Sequence, residues 1–233
     1  MKRKVCGGKA ADLLLHLGGD VVNYRNRPFV DGYGTDIMHG RWRQTGEALA
    51  EMLYIMRHGK TQWNELHKLQ GHTDIPLNEE GRQMAERARQ QYCDVPIDVC
   101  YCSPLSRARE TAEIVLRGRD IPIVCDDRLI EMGFGVYEGM QNCFRDPDNP
   151  IRALFKDPAH YVTVEGGESF QELYERTGAF LREVAEPELR AGKDILIVGH
   201  GAMNSSILCQ VRKIPLEHFW DAGIENCKLV QLI

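Results

Sequence analysis

From residue 53 onward, short apolar runs alternate with longer amphipathic stretches. Leu53-Tyr54-Ile55-Met56 is a continuous apolar run that leads into Arg57-His58-Gly59. Runs at Val99 to Cys102, Ile121 to Cys125, Ile195 to Val198 and Lys228 to Ile233 have the length and composition of strands. Between them, Asn78 to Tyr92 predicts a helix, with Asn78 as N-cap and Glu79 and Glu80 at its positive end. Ser103-Pro104 opens a second helix to about Leu116. Ser169 to Val184 is a third. Phe170, Leu173, Thr177, Phe180, Leu181 and Val184 share one face, and Ser169-x-x-Glu172 reads as a capping box. A fourth helix follows Gly199-His200-Gly201.

Strands without internal alternation are buried on both faces, and their alternation with helices predicts a parallel sheet. The expected fold class is α/β, a three-layer sandwich with a mostly parallel central sheet and helices on both faces. In such sheets ligands bind beyond the carboxyl ends of the strands. Residues 1–51 lack this periodicity. Leu13 to Leu17 is the one place where a short helix is expected there. That segment reads as an N-terminal extension, loosely packed or disordered, ahead of a domain at 52–233. Translation from Met52 stays open beside that reading.

Composition narrows the partners. The chain has 233 residues with 43% hydrophobic and 27% charged, enough to bury a core. A net charge of -5 makes nucleic acid or an anionic membrane a poor default partner. No run reaches the ~18 apolar residues of a membrane span. The 8 cysteines are scattered and form no C-x-x-C pair, so reduced thiols in a cytoplasmic protein are expected.

Two histidines stand in matching places, His58 and His200, each after a strand and each before a glycine that lets backbone come close to a ligand. Arg57 precedes the first. Arg107 lies past another strand end, on the first turns of a helix. Two guanidiniums and two imidazoles would form a cationic cup for a phosphate dianion. Asn64 and the Gly201 backbone are nearby donors. Neutral imidazole is a competent nucleophile at phosphorus, and His58 is the candidate. The leaving alkoxide then needs an acid, and the water that follows needs a base. Glu131 is the candidate for both, because apolar sequence neighbours favour the protonated acid.

Together these motifs resemble the histidine phosphatase superfamily, the phosphoglycerate mutase-like proteins, from about Leu53 to Ile233. The resemblance rests on Arg57-His58-Gly59-Lys60-Thr61-Gln62-Trp63-Asn64, Leu69 to Asn78, Ser103-Pro104-Leu105-x-Arg107-Ala108, and Glu131 with Gly135-x-x-Glu138-Gly139. Gly166-Gly167-Glu168-Ser169 and Val198-Gly199-His200-Gly201 complete it. It implies a phosphohistidine at His58, acid/base work by Glu131, phosphate binding by Arg57, Asn64, Arg107 and His200, and no metal or other cofactor. Lys60 departs from the glutamate or glutamine that members carry there.

Competing motifs fail on spacing. Gly59-Lys60-Thr61 would need a P-loop glycine at Tyr54. Cys102 and Arg107 are one residue too close for a cysteine phosphatase loop. Asp146-x-Asp148 lies in a Pro-rich stretch, Asp146-Pro147-Asp148-Asn149-Pro150, and reads as a surface loop. No zinc spacing occurs. Between Tyr137 and Asp157 there are no paired arginines to grip a substrate carboxylate, so hydrolysis of a small phosphorylated metabolite is expected over mutase chemistry. This stretch is expected to form a lid. A mutase and a non-catalytic phosphate-binding module are the alternatives. Oligomeric state, a homodimer included, is left open.

Overall fold

The central sheet is built from strands whose two faces are both apolar. In the computed structural model, which describes residues 51–233 and two short strands before them, β3 (Leu53–Arg57) lies next to β6 (Ile195–Gly199). β4 (Val99–Cys102) and the edge strand β5 (Ile123–Cys125) continue the sheet on one side. β7 (Leu229–Gln231) closes the other. The order is β5-β4-β6-β3-β7, parallel except for β7. The α/β expectation therefore holds.

Alternation along each strand feeds two separate cores. Leu53, Ile55, Val99, Tyr101, Ile195 and Ile197 pack with α5 (Phe170–Phe180) and α7 (Gly201–Arg212). Tyr54, Met56, Cys100, Cys102, Leu196 and Val198 pack with α2 (Glu79–Gln91) and α3 (Ser106–Val115). Side chains two apart share a face, so one strand covers two helical layers. This is the three-layer arrangement.

Helix starts follow local chemistry. Asn78 accepts from Gly81 N and caps α2, and Ser169 and Glu172 form a reciprocal capping box at α5. The capping box fixes the expected start at Ser169, but α5 ends at Phe180, and the chain continues as a π-helical turn over Leu181–Ala185 into α6 (Glu186–Arg190). The stretch from 137 to 157 holds one short helix, α4 (Arg152–Lys156), among 3-10 turns. Before the sheet, β1 (Arg41–Trp42) pairs antiparallel with β2 (Ala48–Leu49), in a region where the sequence pattern predicted no strands. The helix expected near Leu13, and the rest of the extension expected over 1–51, lie outside the described residues.

Candidate active site

The carboxyl ends of β3, β4 and β6 bring four predicted residues to one place. His58 leaves β3 with its backbone N–H bonded to Gly199 O at 2.9 Å, which locks it beside the end of β6. His200 leaves β6. The two imidazoles meet edge to face with centroids 5.2 Å apart, and both are buried. His58 Nδ1 lies 2.7 Å from Gly59 O. A carbonyl only accepts, so Nδ1 carries the proton and Nε2 keeps a free lone pair. Burial first, then the charges of Arg107 and Arg57, push the His58 pKa well below the ordinary histidine value. Burial does the same to His200, helped by Arg107, His58 and Arg57. Both shifts favour the neutral rings.

Arg107 is fully buried at the start of α3. Its Nη1 donates to Thr73 O at 2.9 Å and its Nη2 to Gly71 O at 2.8 Å. Burial lowers its pKa to about 10, with Glu131, Asp74 and Glu138 opposing, so it stays charged. Arg57 Nη1 donates to Ile224 O at 3.2 Å. Arg57 Nε, Arg107 Nε and both His200 nitrogens are buried without a protein hydrogen-bond partner. Buried donors of that kind are normally satisfied, and a tetrahedral oxyanion suits this set.

Glu131 enters from the loop after β5 and has a setting that its apolar sequence neighbours do not suggest. Oε2 accepts from Gly201 N at 2.9 Å and Ala202 N at 3.3 Å. Oε1 accepts from Met203 N at 3.0 Å and Met132 N at 2.9 Å. The carboxyl thus sits on the amino end of α7, directly after His200, where a helix favours negative charge. A β-carbon built on Gly201 would lie 3.6 Å from Glu131 Oε2 and 3.7 Å from Arg57 Cζ, so acid and guanidinium flank the same backbone. The Gly201 N–H, expected at the phosphate, is held by Glu131 instead.

Two other expectations change. The glycine after His58 makes room for protein, not ligand: a β-carbon on Gly59 would come 2.6 Å from Gly81 O of α2. Asn64 is the third residue of the short helix α1 (Gln62–Glu65) and completes a capping box with the N-cap Thr61, its Oδ1 accepting from Thr61 N at 3.0 Å, which leaves its amide nitrogen as the group it can offer.

Of the supporting residues, Arg176 and Asn226 carry no local signal, whereas Glu138 and Glu168 lie in the motifs named above. Arg176 on α5 donates to the carbonyls of Arg128, Ile130 and Glu131 and pairs with Glu168, which also accepts from Gly133 N. This clamp holds the Glu131 loop. Glu138 accepts from His72 N, Thr73 N and Thr73 Oγ1 and so grips the loop that Arg107 holds from the other side. Asn226 Nδ2 donates to His58 O at 2.5 Å. Beside Arg57 and Gly201 opens a cavity of about 520 Å³, also lined by Ser205, Trp220, Ile224 and Asn226. Trp220 donates to Leu154 O at 2.6 Å and stacks on Phe155 at 5.1 Å, which ties α4 to the cavity wall. Among the described residues no cluster of three or more His, Cys, Asp or Glu is placed to hold a metal. Among them too, no helix is long and apolar enough to cross a membrane.

The chain is similar to known proteins over this region. It is 29% identical over 176 residues to phosphoserine phosphatase 1 of Hydrogenobacter thermophilus, covering 75% of this chain and 82% of that one. It is 29% identical over 182 residues to 2,3-bisphosphoglycerate-dependent phosphoglycerate mutase 2 of Gloeobacter violaceus, covering 76% and 82%. Among solved structures, YhfR of Bacillus stearothermophilus matches with a TM-score of 0.71 at 32% identity, covering 78% of this chain and 90% of that one. A mycobacterial glucosyl-3-phosphoglycerate phosphatase in complex with VO3 matches with a TM-score of 0.68 at 26% identity, covering 78% and 92%. The profile of the histidine phosphatase superfamily (branch 1) matches residues 53–233. That stretch holds the sheet, both histidines and Glu131, and the protein is a member of the histidine phosphatase superfamily.

Proposed function

We propose that the domain at 52–233 hydrolyses a small phosphomonoester, without a metal, through a phosphohistidine at His58. The observation that carries this is a buried, neutral His58 whose Nδ1 is engaged by Gly59 O, in edge-to-face contact with His200 and flanked by Arg57 and Arg107. Arg57, Arg107 and His200 hold the phosphoryl oxygens, with the Asn64 amide at the rim. His58 Nε2 attacks phosphorus as the ester P–O bond breaks. Glu131 gives its proton to the departing alkoxide. Water then attacks the phosphohistidine, Glu131 takes a proton back, and inorganic phosphate leaves a neutral His58.

Similarity to a phosphoserine phosphatase and to a glucosyl-3-phosphoglycerate phosphatase supports a phosphorylated metabolite as substrate. Similarity to a phosphoglycerate mutase keeps transfer back to substrate as the second reading. The segment 137–157 lacks paired arginines and favours hydrolysis. With α4 held against Trp220 of the cavity wall, this segment is the part proposed to act as a lid and select the substrate. A cytoplasmic setting belongs to the same proposal.

The test is hydrolysis of p-nitrophenyl phosphate in EDTA, together with trapping of an acid-labile phosphoenzyme. Activity and label that both disappear in His58→Ala support the reading. Phosphate binding without turnover supports a non-catalytic module. Interconversion of 2- and 3-phosphoglycerate faster than hydrolysis supports the mutase.

A further inference from the structure

We propose that Cys102 and Cys125 are a modification site: a hydroperoxide converts them to a disulfide, and closure displaces the two segments that carry Arg107 and Glu131. The inference about the thiols stands alone; its effect on turnover rests on the function proposed above.

The two cysteines are register partners on the parallel strands β4 and β5. Their side chains point to the same face of the sheet, and the sulfurs are 3.7 Å apart. Adjacent strands run about 4.8 Å apart, inside the Cα separation that a disulfide spans. The pair is asymmetric in access. β5 is the edge strand and Cys125 is exposed, whereas Cys102 is fully buried one strand in. Cys125 is therefore the thiol an oxidant meets. Cys102, its pKa raised to about 12 chiefly by burial, keeps its proton until an electrophilic sulfur forms next to it.

The chemistry balances with one oxidant. The Cys125 thiolate attacks the peroxide oxygen, the O–O bond breaks, and Cys125 becomes a sulfenic acid as an alcohol or water departs. Cys102 sulfur then attacks the Cys125 sulfur. The S–O bond breaks, hydroxide leaves with the Cys102 proton as water, and the disulfide remains. Two thiols lose two electrons to one hydroperoxide.

Position explains why closure matters. Cys102 is the last residue of β4, and the chain after it runs through Ser103 into the first turn of α3, where Arg107 sits. Cys125 is the last residue of β5, and the chain after it leads through Leu129 to Glu131. Asp126 N donates to Cys102 O at 3.0 Å, so the two strand ends are joined just beyond the sulfurs. A bond of about 2.05 Å between these sulfurs draws both strand ends together at the roots of the phosphate-binding arginine and the acid.

The experiment treats the reduced full-length chain, in a Cys93→Ser background, with one equivalent of hydrogen peroxide, then alkylates and maps peptides by mass spectrometry. A Cys102–Cys125 linkage that dithiothreitol reverses and Cys125→Ser abolishes is the expected result. Recovery of Cys125 as sulfinic acid with Cys102 alkylated overturns the site. In parallel, p-nitrophenyl phosphate hydrolysis falls at least fivefold on oxidation, returns with dithiothreitol, and is unaffected by peroxide in Cys125→Ser. A linked protein with an unchanged rate overturns the coupling to the active site. If neither redox state hydrolyses any phosphomonoester, the proposed function fails, and the peptide map still decides the disulfide.

Discussion

Glu131 Oε2 holds the backbone N–H of Gly201 at 2.9 Å, across 70 residues of chain. One carboxyl group thus joins the loop after β5 to the amino end of the helix that follows His200.

Glu131→Gln should keep the helix contact in part and lose the proton. With an alkyl phosphate, whose leaving group needs an acid, kcat should fall by about 10²- to 10⁴-fold. With p-nitrophenyl phosphate, whose leaving group departs as a stable anion, the fall should be much smaller. Steady-state rates on the two substrates check this, and equal losses on both would assign Glu131 a purely structural part.

The pH dependence follows from burial. The folded His58 has its proton affinity lowered by burial, Arg107 and Arg57, so the neutral nucleophile persists below the ordinary histidine pKa of about 6.5. The acid limb of kcat/KM assigned to His58 should lie below that value. Arg107→Ala removes a positive neighbour and should move this limb upward while weakening phosphate binding. A limb at the same pH in both proteins would count against the assignment.

Stability should show the same sign. His58 and His200 are buried neutral, and both have lowered pKa values. Between the folded and the unfolded pKa, the unfolded chain binds more protons. Stability is therefore full above the unfolded value of about 6.5 and is lost as pH falls below it. Thermal melting at pH 7.5 and 5.5 checks this, and inorganic phosphate should reduce the loss by engaging the cationic forms.

Arg176→Ala removes the clamp on the Glu131 loop and leaves Glu168 unpaired, both residues being largely buried. Loss of a buried pair of this kind costs about 2–4 kcal/mol. Melting should fall accordingly. If the clamp positions the acid, kcat on an alkyl phosphate should drop more than kcat on p-nitrophenyl phosphate, with KM little changed, and Arg176→Lys should restore only part of it.

Gly71→Ala tests the loop between Arg107 and Glu138. Gly71 has φ +53, and a β-carbon there would lie 1.9 Å from Glu138 Oε1. An L-residue strains the backbone and displaces the carboxylate that holds Thr73. The expected cost is about 1–3 kcal/mol in chemical denaturation, with weaker phosphate binding through Arg107.

Much of the fold was legible because its signals are local. Asn78 and Ser169 mark helix starts by satisfying N–H groups within three residues, and continuous apolar runs mark strands covered on both faces. The end of α5 was less legible, since the apolar face continues through a π-helical turn. Strands Arg41–Trp42 and Ala48–Leu49 are too short to leave a periodic trace.

At the site, sequence alone determined the candidates: two histidines and two arginines at or just beyond strand ends, which a parallel sheet gathers at one edge. Only the tertiary structure decided what surrounds them. Glu131 looked apolar by its neighbours along the chain, yet its neighbours in space are the N–H groups of Gly201, Ala202 and Met203. Arg176 looked like one more charged residue on a helix, yet it holds three carbonyls of a distant loop. Propensity and periodicity act over a few residues and can be read in order along the chain. Burial, hydrogen-bond partners and electrostatic surroundings depend on which distant segments the packed core brings together.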